Sequence, residues 1–107
     1  MKTLIALIAA TLVTTPALAN DFSNKLKTLS SMQQRAVMRR AVLDDKQYCK
    51  RIGPVAYQGP YKNLEMWTVQ CDRGADYAAF IGGDGSVQVR PCRDLVGLKL
   101  PPCKLPK

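Results

Sequence analysis

The chain has 107 residues, with 16 Lys and Arg against 8 Asp and Glu, four Cys and no His. This length suffices for one small domain. Without His, the chain lacks the usual general base of Ser–His and Cys–His catalysis and the commonest side-chain ligand of transition metals.

Residues 1–19 have the three-part pattern of a secretion signal. Lys2 supplies a basic start, residues 4–13 are almost continuously apolar, and residues 17–19 offer the small side chains of a cleavage site. The apolar run of about ten residues is too short for the roughly 20 that a membrane span requires. We therefore expect a periplasmic or secreted protein of residues 20–107 that does not span a membrane. Loss of Lys2 lowers its formal net charge from +8 to +7.

The next predicted element is a helix from Ser30 to Asp45. It begins with two overlapping capping boxes, Ser30…Gln33 and Ser31…Gln34, and no Gly or Pro interrupts it. Phe22 would extend the helical region through a looser preceding turn, together with Leu26. At 100° per residue, one arc of this helix contains the side chains that we expect to face the core: Leu29, Met32, Ala36, Val37 and Leu43.

Three residues disturb this arc. Arg40 projects into it, whereas Met38 and Val42 project away from it. Two explanations are open. Either Arg40 follows the edge of the core with its methylene stem, or Met38 and Val42 face a partner.

The rest of the chain is predicted to form an antiparallel meander. Residues 51–58 form an edge strand that is interrupted by Gly53-Pro54. A turn at Gly59-Pro60-Tyr61 leads to a second strand, residues 65–71, in which Trp67, Val69 and Cys71 share one face. We expect that face, and Trp67 above all, to pack under the helix.

Two further strands, residues 77–81 and 86–90, flank the hairpin signal Gly82-Gly83-Asp84-Gly85. Val87 and Val89 are expected to point inward, and residues 101–107 to form an extended tail. A helix followed by such a meander predicts an α+β fold, with the helix covering one face of the sheet.

Four cysteines in an exported chain predict two disulfides, but their number alone allows three pairings. A hairpin at residues 59–61 would bring Cys49 beside Cys71. A short helical turn near residues 95–98 would return Cys103 to Cys92. We therefore predict Cys49–Cys71 and Cys92–Cys103. Zinc or redox chemistry is disfavoured, because the chain contains no C-x-x-C motif.

The second half also contains the pattern Trp67-x-Val69-x-Cys71-x-x-Gly74-x-x-Tyr77, followed by a Gly-Asp-Gly turn, Cys92 and Cys103. This pattern resembles a group of small exported proteobacterial proteins of uncharacterised activity. The resemblance implies a shared scaffold, because its residues are a core Trp, a turn Gly and disulfide cysteines. It implies no catalytic residue.

Acidic residues offer little support for an enzyme. Asp72 and Asp76 flank the turn at Gly74 and form the one candidate carboxylate pair for a small hydrolase. A rigid loop at residues 59–61 would instead suit an enzyme inhibitor. The loop at residues 82–85 has a single carboxylate, whereas calcium takes six to eight oxygen ligands. We expect no catalytic residue, cofactor or metal, and keep the hydrolase and the inhibitor as alternatives.

The basic residues indicate a function more strongly than the acidic residues do. Six of them lie within 17 positions: Arg35, Arg39, Arg40, Lys46, Lys50 and Arg51. Arg35, Arg39 and Lys46 are expected to share one stripe of the helix. Such a cluster attracts an anionic envelope component or an acidic protein, or it is only a solvated face. Nucleic acid is not expected, because no binding motif is present. The sequence thus predicts a non-enzymatic binding or structural protein that engages an anionic surface or a protein partner through a basic helix.

Overall fold

The computed structural model describes residues 20–106, and the predicted signal segment lies outside them. The elements are, in chain order, α1 (Asp21–Thr28), α2 (Ser31–Asp44), β1 (Ile52–Tyr61), β2 (Leu64–Cys71), β3 (Asp76–Gly82) and β4 (Val87–Pro91). The four strands form one antiparallel sheet in the order β1-β2-β3-β4. The predicted α+β fold is confirmed. Among residues 20–106, neither helix has the length and apolar character that a bilayer crossing requires.

The segment before the main helix is a separate helix, α1, rather than the looser turn that the sequence predicts. Asn20 caps it, because its side-chain oxygen accepts a hydrogen bond from the Ser23 amide at 3.1 Å. The Asn20 side-chain amide donates to the Ile81 carbonyl at 2.9 Å. The cap therefore also attaches the start of α1 to the sheet.

The predicted capping box at Ser30…Gln33 is confirmed. The Gln33 amide donates to the Ser30 hydroxyl at 3.2 Å, and the Ser30 amide donates to the Gln33 side-chain oxygen at 3.1 Å. The second predicted box does not form. Gln34 donates its side-chain amide to the Leu26 carbonyl at 2.8 Å and so connects α2 to α1.

The predicted buried face of α2 is wrong. Met38 and Val42 are fully buried, whereas Met32, which we expected in the core, is 78% exposed. Leu29, Val37 and Leu43 contact the core only as partly buried side chains. Apolar residues occur nearly all around this helix, so their spacing selects no unique face. The explanation that Met38 and Val42 face a partner is therefore wrong, since both side chains pack in the chain's own core.

The first hairpin turn is also misplaced in the prediction. β1 continues through Gly59-Pro60-Tyr61, and the turn consists of Lys62 and Asn63. Gly59 has a φ of 143° at a register shift, a conformation that glycine adopts without strain. This bulge lets the strand continue where the sequence indicates a turn. The interruption at Gly53-Pro54 coincides with a second register shift, and β1 is an edge strand as predicted.

Each face of the sheet has its own core. On one face, Trp67, Val69 and Ile81 pack against the helices. Trp67 is 1% exposed, and its indole N–H donates to the Ser23 hydroxyl at 2.9 Å, which confirms its predicted place under the helical layer. On the opposite face, the side chains of Met66, Ala78, Phe80 and Leu95 form a second core.

Both predicted disulfides are confirmed. Cys49–Cys71 joins the α2–β1 connection to the end of β2, and its Cα atoms are 5.4 Å apart. Cys92–Cys103, with Cα atoms 5.7 Å apart, closes residues 92–103 into what we call the C-terminal loop. Although the hairpin turn lies at residues 62–63, the pairing of Ile52 with Cys71 still brings the first two cysteines together.

Candidate functional site

The six predicted basic residues do not form one helical face. Because α2 ends at Asp44, Lys46 lies beyond the helix, and the predicted stripe keeps only Arg35 and Arg39. Arg40 is exposed and forms an (i, i+4) ion pair with Asp44, with 3.7 Å between Nη1 and Oδ1. This pair contributes little, since both side chains are well solvated. Arg40 also lines a cavity together with Phe22 and Val37.

Arg39 is half-buried and has a structural contact. Its Nε–H donates to the Cys49 carbonyl at 3.0 Å, so its guanidinium holds the α2–β1 connection against the helix. This contact places Arg39 beside the Cys49–Cys71 disulfide. The predicted cluster is therefore centred on the connection after α2 rather than on the helix.

Lys46 closes the C-terminus of α2. Its φ is 65°, its amide donates to the Leu43 carbonyl at 2.9 Å, and the Gln47 amide donates to the Val42 carbonyl at 3.1 Å. These are the two bonds of a Schellman motif, in which the left-handed position is usually occupied by glycine. The backbone of Lys46 thus ends the helix, while its side chain is exposed.

Asp72 organises the segment that carries the other cations. Its carboxylate accepts hydrogen bonds from the Arg51 amide at 3.0 Å and from the Tyr48 hydroxyl at 2.8 Å. The Asp72 amide in turn donates to the Arg51 carbonyl at 3.0 Å. The bond from Arg51, followed by that from Tyr48, holds the pKa of Asp72 below its usual value. Asp72 therefore stays ionised and fixes the backbone of Arg51 beside the turn.

Tyr48 lies at the centre of this arrangement and is 41% exposed. Its hydroxyl donates to Asp72, which raises the pKa of Tyr48, while the charges of Arg73 and Arg51 oppose that rise. Its carbonyl accepts a hydrogen bond from the Tyr77 hydroxyl at 2.6 Å. The ring is thus held at the end of the sheet with two guanidinium groups nearby.

We call this region the cationic end, defined by Arg39, Lys50, Arg51 and Arg73. Arg73 is absent from the predicted cluster, because it lies 22 positions beyond Arg51. The signal for it was present, however. Arg73 follows Cys71 by two residues, and the predicted Cys49–Cys71 disulfide brings it beside Arg51. Its φ of 62° places it in a tight turn before Gly74.

The geometry does not favour the hydrolase alternative. Both oxygens of Asp72 accept hydrogen bonds from the chain itself, from the Tyr48 hydroxyl and the Arg51 amide, so this carboxylate orders the turn. Two cavities, of about 690 and 340 Å³, lie along β4 and against α2, and neither is lined by Asp72 or Asp76. Within residues 20–106, no cluster of three or more Cys, Asp or Glu side chains is arranged to hold a metal ion.

The loop proposed for an inhibitor is not a loop, because residues 59–61 belong to β1. The adjacent Gln58 side chain donates to the Pro102 carbonyl at 2.9 Å and accepts from the Lys104 amide at 2.8 Å. This segment therefore holds the extended C-terminal tail against the sheet and is not free to enter an enzyme cleft.

Comparison of the chain with family models, with curated proteins and with solved structures found no match. The resemblance to small exported proteobacterial proteins stays a prediction.

Proposed function

We propose that the protein is a non-enzymatic binding protein of the periplasm or the extracellular space, and that it engages an anionic partner through the cationic end. One observation carries this proposal. The ion pairs found within residues 20–106 involve Lys27, Arg40 and Arg93, and none involves Lys50, Arg51 or Arg73. These three exposed cations are therefore available to a partner.

The nearest carboxylate does not neutralise them through a direct ion pair. Asp72 directs its oxygens to a backbone amide and a phenol, so it orders the turn instead of pairing with a guanidinium. The disulfide and the contact of Arg39 with the Cys49 carbonyl hold the same segment. Cations on an ordered backbone bind an anion with less loss of conformational entropy than cations on a flexible tail.

The compartment is part of the proposal. Two disulfides, which include all four cysteines, are typical of proteins that fold under oxidising conditions. An anionic envelope component and an acidic protein surface both match the charge of the cationic end.

The test is binding of the purified protein to immobilised heparin, a soluble polyanion that stands in for the partner. The triple variant Lys50→Gln, Arg51→Gln, Arg73→Gln removes three cations of the cationic end and keeps Arg39, whose guanidinium is bonded to the Cys49 carbonyl. Each exposed cation contributes about 1 kcal/mol at low salt, so we expect affinity to fall by roughly two orders of magnitude. The fold should persist, because exposed charges contribute little to stability.

A matched control removes the same charge elsewhere, through Lys25→Gln, Lys62→Gln and Lys104→Gln. All three side chains are exposed and lie outside the cationic end. We expect this control to keep most of its affinity. Equal losses in the two triple variants would show that only net charge matters and would overturn the proposal. A third variant, Arg35→Gln with Arg40→Gln, tests the basic helix predicted from the sequence.

A further inference from the structure

The C-terminal loop presents an apolar tip. Leu95 is fully buried in the second core, and Leu100 packs against the same cluster. Between them the backbone is closed by hydrogen bonds from the Lys99 amide to the Val96 carbonyl at 3.0 Å and from the Leu100 amide to the Leu95 carbonyl at 2.9 Å. The tip is therefore an ordered turn anchored at both ends.

The side chains at this tip point outward. Val96 is 76% exposed and Leu98 is 48% exposed. The other apolar residues of the turn, Leu95 and Leu100, are those that anchor it. These two exposed apolar side chains lie two positions apart on an ordered turn, and their transfer into an apolar environment would be favourable.

Cations flank this tip. The side chain of Arg93 is 79% exposed, and its contact with Asp94 is long, at 4.0 Å. Lys99 is exposed as well. We define the apolar tip as Val96 and Leu98, and we call Arg93 and Lys99 its flanking cations. Val96 and Leu98 thus lie between two exposed cations, and the exposed carboxylate of Asp94 lies beside Arg93. At the anionic interface of a lipid bilayer, the apolar side chains would enter the acyl boundary and the cations would contact phosphates.

The tip and the cationic end share one end of the sheet. The C-terminal loop begins immediately after β4, whose Pro91 pairs with Tyr77, and the Tyr77 hydroxyl donates to the Tyr48 carbonyl. Leu98 and Arg93 also line one cavity with Gln47, in the connection that leads to Tyr48. Leu98 and Arg93 therefore lie close to the segment that leads into the cationic end.

We infer that the apolar tip inserts into an anionic lipid bilayer, which would make a phospholipid surface the anionic partner. This inference rests on the proposed function and identifies its ligand. Two exposed apolar side chains between exposed cations favour a lipid interface, where acyl chains accept the apolar groups and phosphates accept the cations. The cationic end would then add headgroup contacts without insertion.

The test uses the purified protein and vesicles that contain either phosphatidylcholine alone or phosphatidylcholine with 30% phosphatidylglycerol. We expect binding only to the anionic vesicles. Val96→Ser with Leu98→Ser should weaken this binding by at least about tenfold, because the transfer of two aliphatic side chains is lost. It should leave heparin binding unchanged. Met32→Ser is the matched control, because Met32 is equally exposed, at 78%, but lies on α2.

The depth to which the tip enters the bilayer is measured with a tryptophan introduced by substitution. The indole introduced by Val96→Trp should be quenched by lipids brominated on their acyl chains, whereas the one introduced by Met32→Trp should not. The native Trp67 is buried and gives an unquenched background. Melting temperatures near that of the wild type would show that each variant is folded.

The possible failures are distinguishable. If the Val96→Ser, Leu98→Ser variant binds vesicles as the wild type does, or if the introduced indole is not quenched, the inference is wrong and charge alone explains binding. The inference also fails if the wild type binds heparin but no vesicle, a result that points to an acidic protein and leaves the proposed function intact. If the wild type binds neither heparin nor anionic vesicles, both proposals are wrong.

Discussion

The two faces of the sheet are covered by different means. On one face, α1 and α2 contribute Leu26, Met38 and Val42 to a core that also contains Trp67. On the other face, the buried residue that the C-terminal loop contributes is Leu95, with partly buried Leu100 and Cys103 beside it. The helical face thus relies on buried apolar area, whereas the loop-covered face has much less of it.

Covalent closure compensates for this difference. The Cys92–Cys103 disulfide closes the short loop, and the hydrogen bonds of Gln58 with Pro102 and Lys104 attach the tail that follows it. In a domain of this size a single core supplies little stability, and crosslinks make up the deficit. The comparison therefore predicts that the helical face is sensitive to cavities and the loop-covered face to loss of its disulfide.

The largest effect is expected on the helical face. Trp67→Ala should lower the free energy of unfolding by about 3–5 kcal/mol, because it leaves a cavity and an unpaired Ser23 hydroxyl. The free energy of unfolding is measured by urea denaturation followed by circular dichroism. Met32→Ala, an exposed control on α2, should change stability by no more than about 0.5 kcal/mol. A Trp67→Ala variant as stable as this control would contradict the description of the helical core.

The next effect belongs to the loop-covered face. Cys92→Ser with Cys103→Ser should cost about 3 kcal/mol, the loop-entropy value for a crosslink of this span. The loss should be local as well, since hydrogen exchange of residues 95–103 is expected to rise far more than that of residues 64–71. Uniform acceleration across both segments would show that the disulfide stabilises the whole domain and not one face.

A smaller effect, a gain in stability, is expected from replacing two lysines that have a left-handed backbone conformation, one in each region. Lys46, after α2, has a φ of 65°, and Lys99, in the C-terminal loop, has a φ of 61°. Glycine adopts this conformation freely, so Lys46→Gly and Lys99→Gly should each stabilise the protein by about 0.5–1 kcal/mol. Thermal unfolding measures the gain. Lys25→Gly, within α1, is the control and should destabilise by about 1 kcal/mol.

The smallest effect is a pH dependence of the helical face. Burial, and then the hydrogen bond that its hydroxyl donates to Glu65, raise the pKa of Tyr57 to about 12. Because the pKa is raised in the folded state, this stabilisation is complete below the unfolded pKa of about 10 and is lost as the pH rises from about 10 to 12. Tyr57→Phe should therefore lose stability less steeply than the wild type in this range. Equal slopes in urea denaturation would contradict the contribution of Tyr57.

Residues with a strong local signal behaved as the sequence predicts. Ser30 caps α2, residues 82–85 turn the last hairpin, and Val89 faces inward. In each of these cases the signal and its consequence lie within a few residues, so tertiary packing has little to decide. The disulfide pairing was also predictable, because hairpin topology restricts which cysteines meet.

The candidate site was only partly predictable. Arg39, Lys50 and Arg51 are in both the predicted cluster and the cationic end. Arg40 is paired with Asp44 instead, and Arg73 was missed. Proximity in sequence groups the predicted residues, whereas the backbone pairing of Arg51 with Asp72 brings in Arg73. The apolar tip carries no signal in the sequence, since Val96 and Leu98 are no more apolar than their buried neighbour Leu95.

The sequence by itself determined the fold class, the crosslinks and the place of Trp67, because alternation, turn residues and cysteine spacing act over short distances. Only the tertiary structure decided which face of α2 is buried. The helix carries apolar residues on most sides, and the position of α1 and the sheet selects Met38 and Val42. Tertiary structure also decided which leucines of the C-terminal loop are covered, because a short loop closed by a disulfide has room for few of them against the sheet.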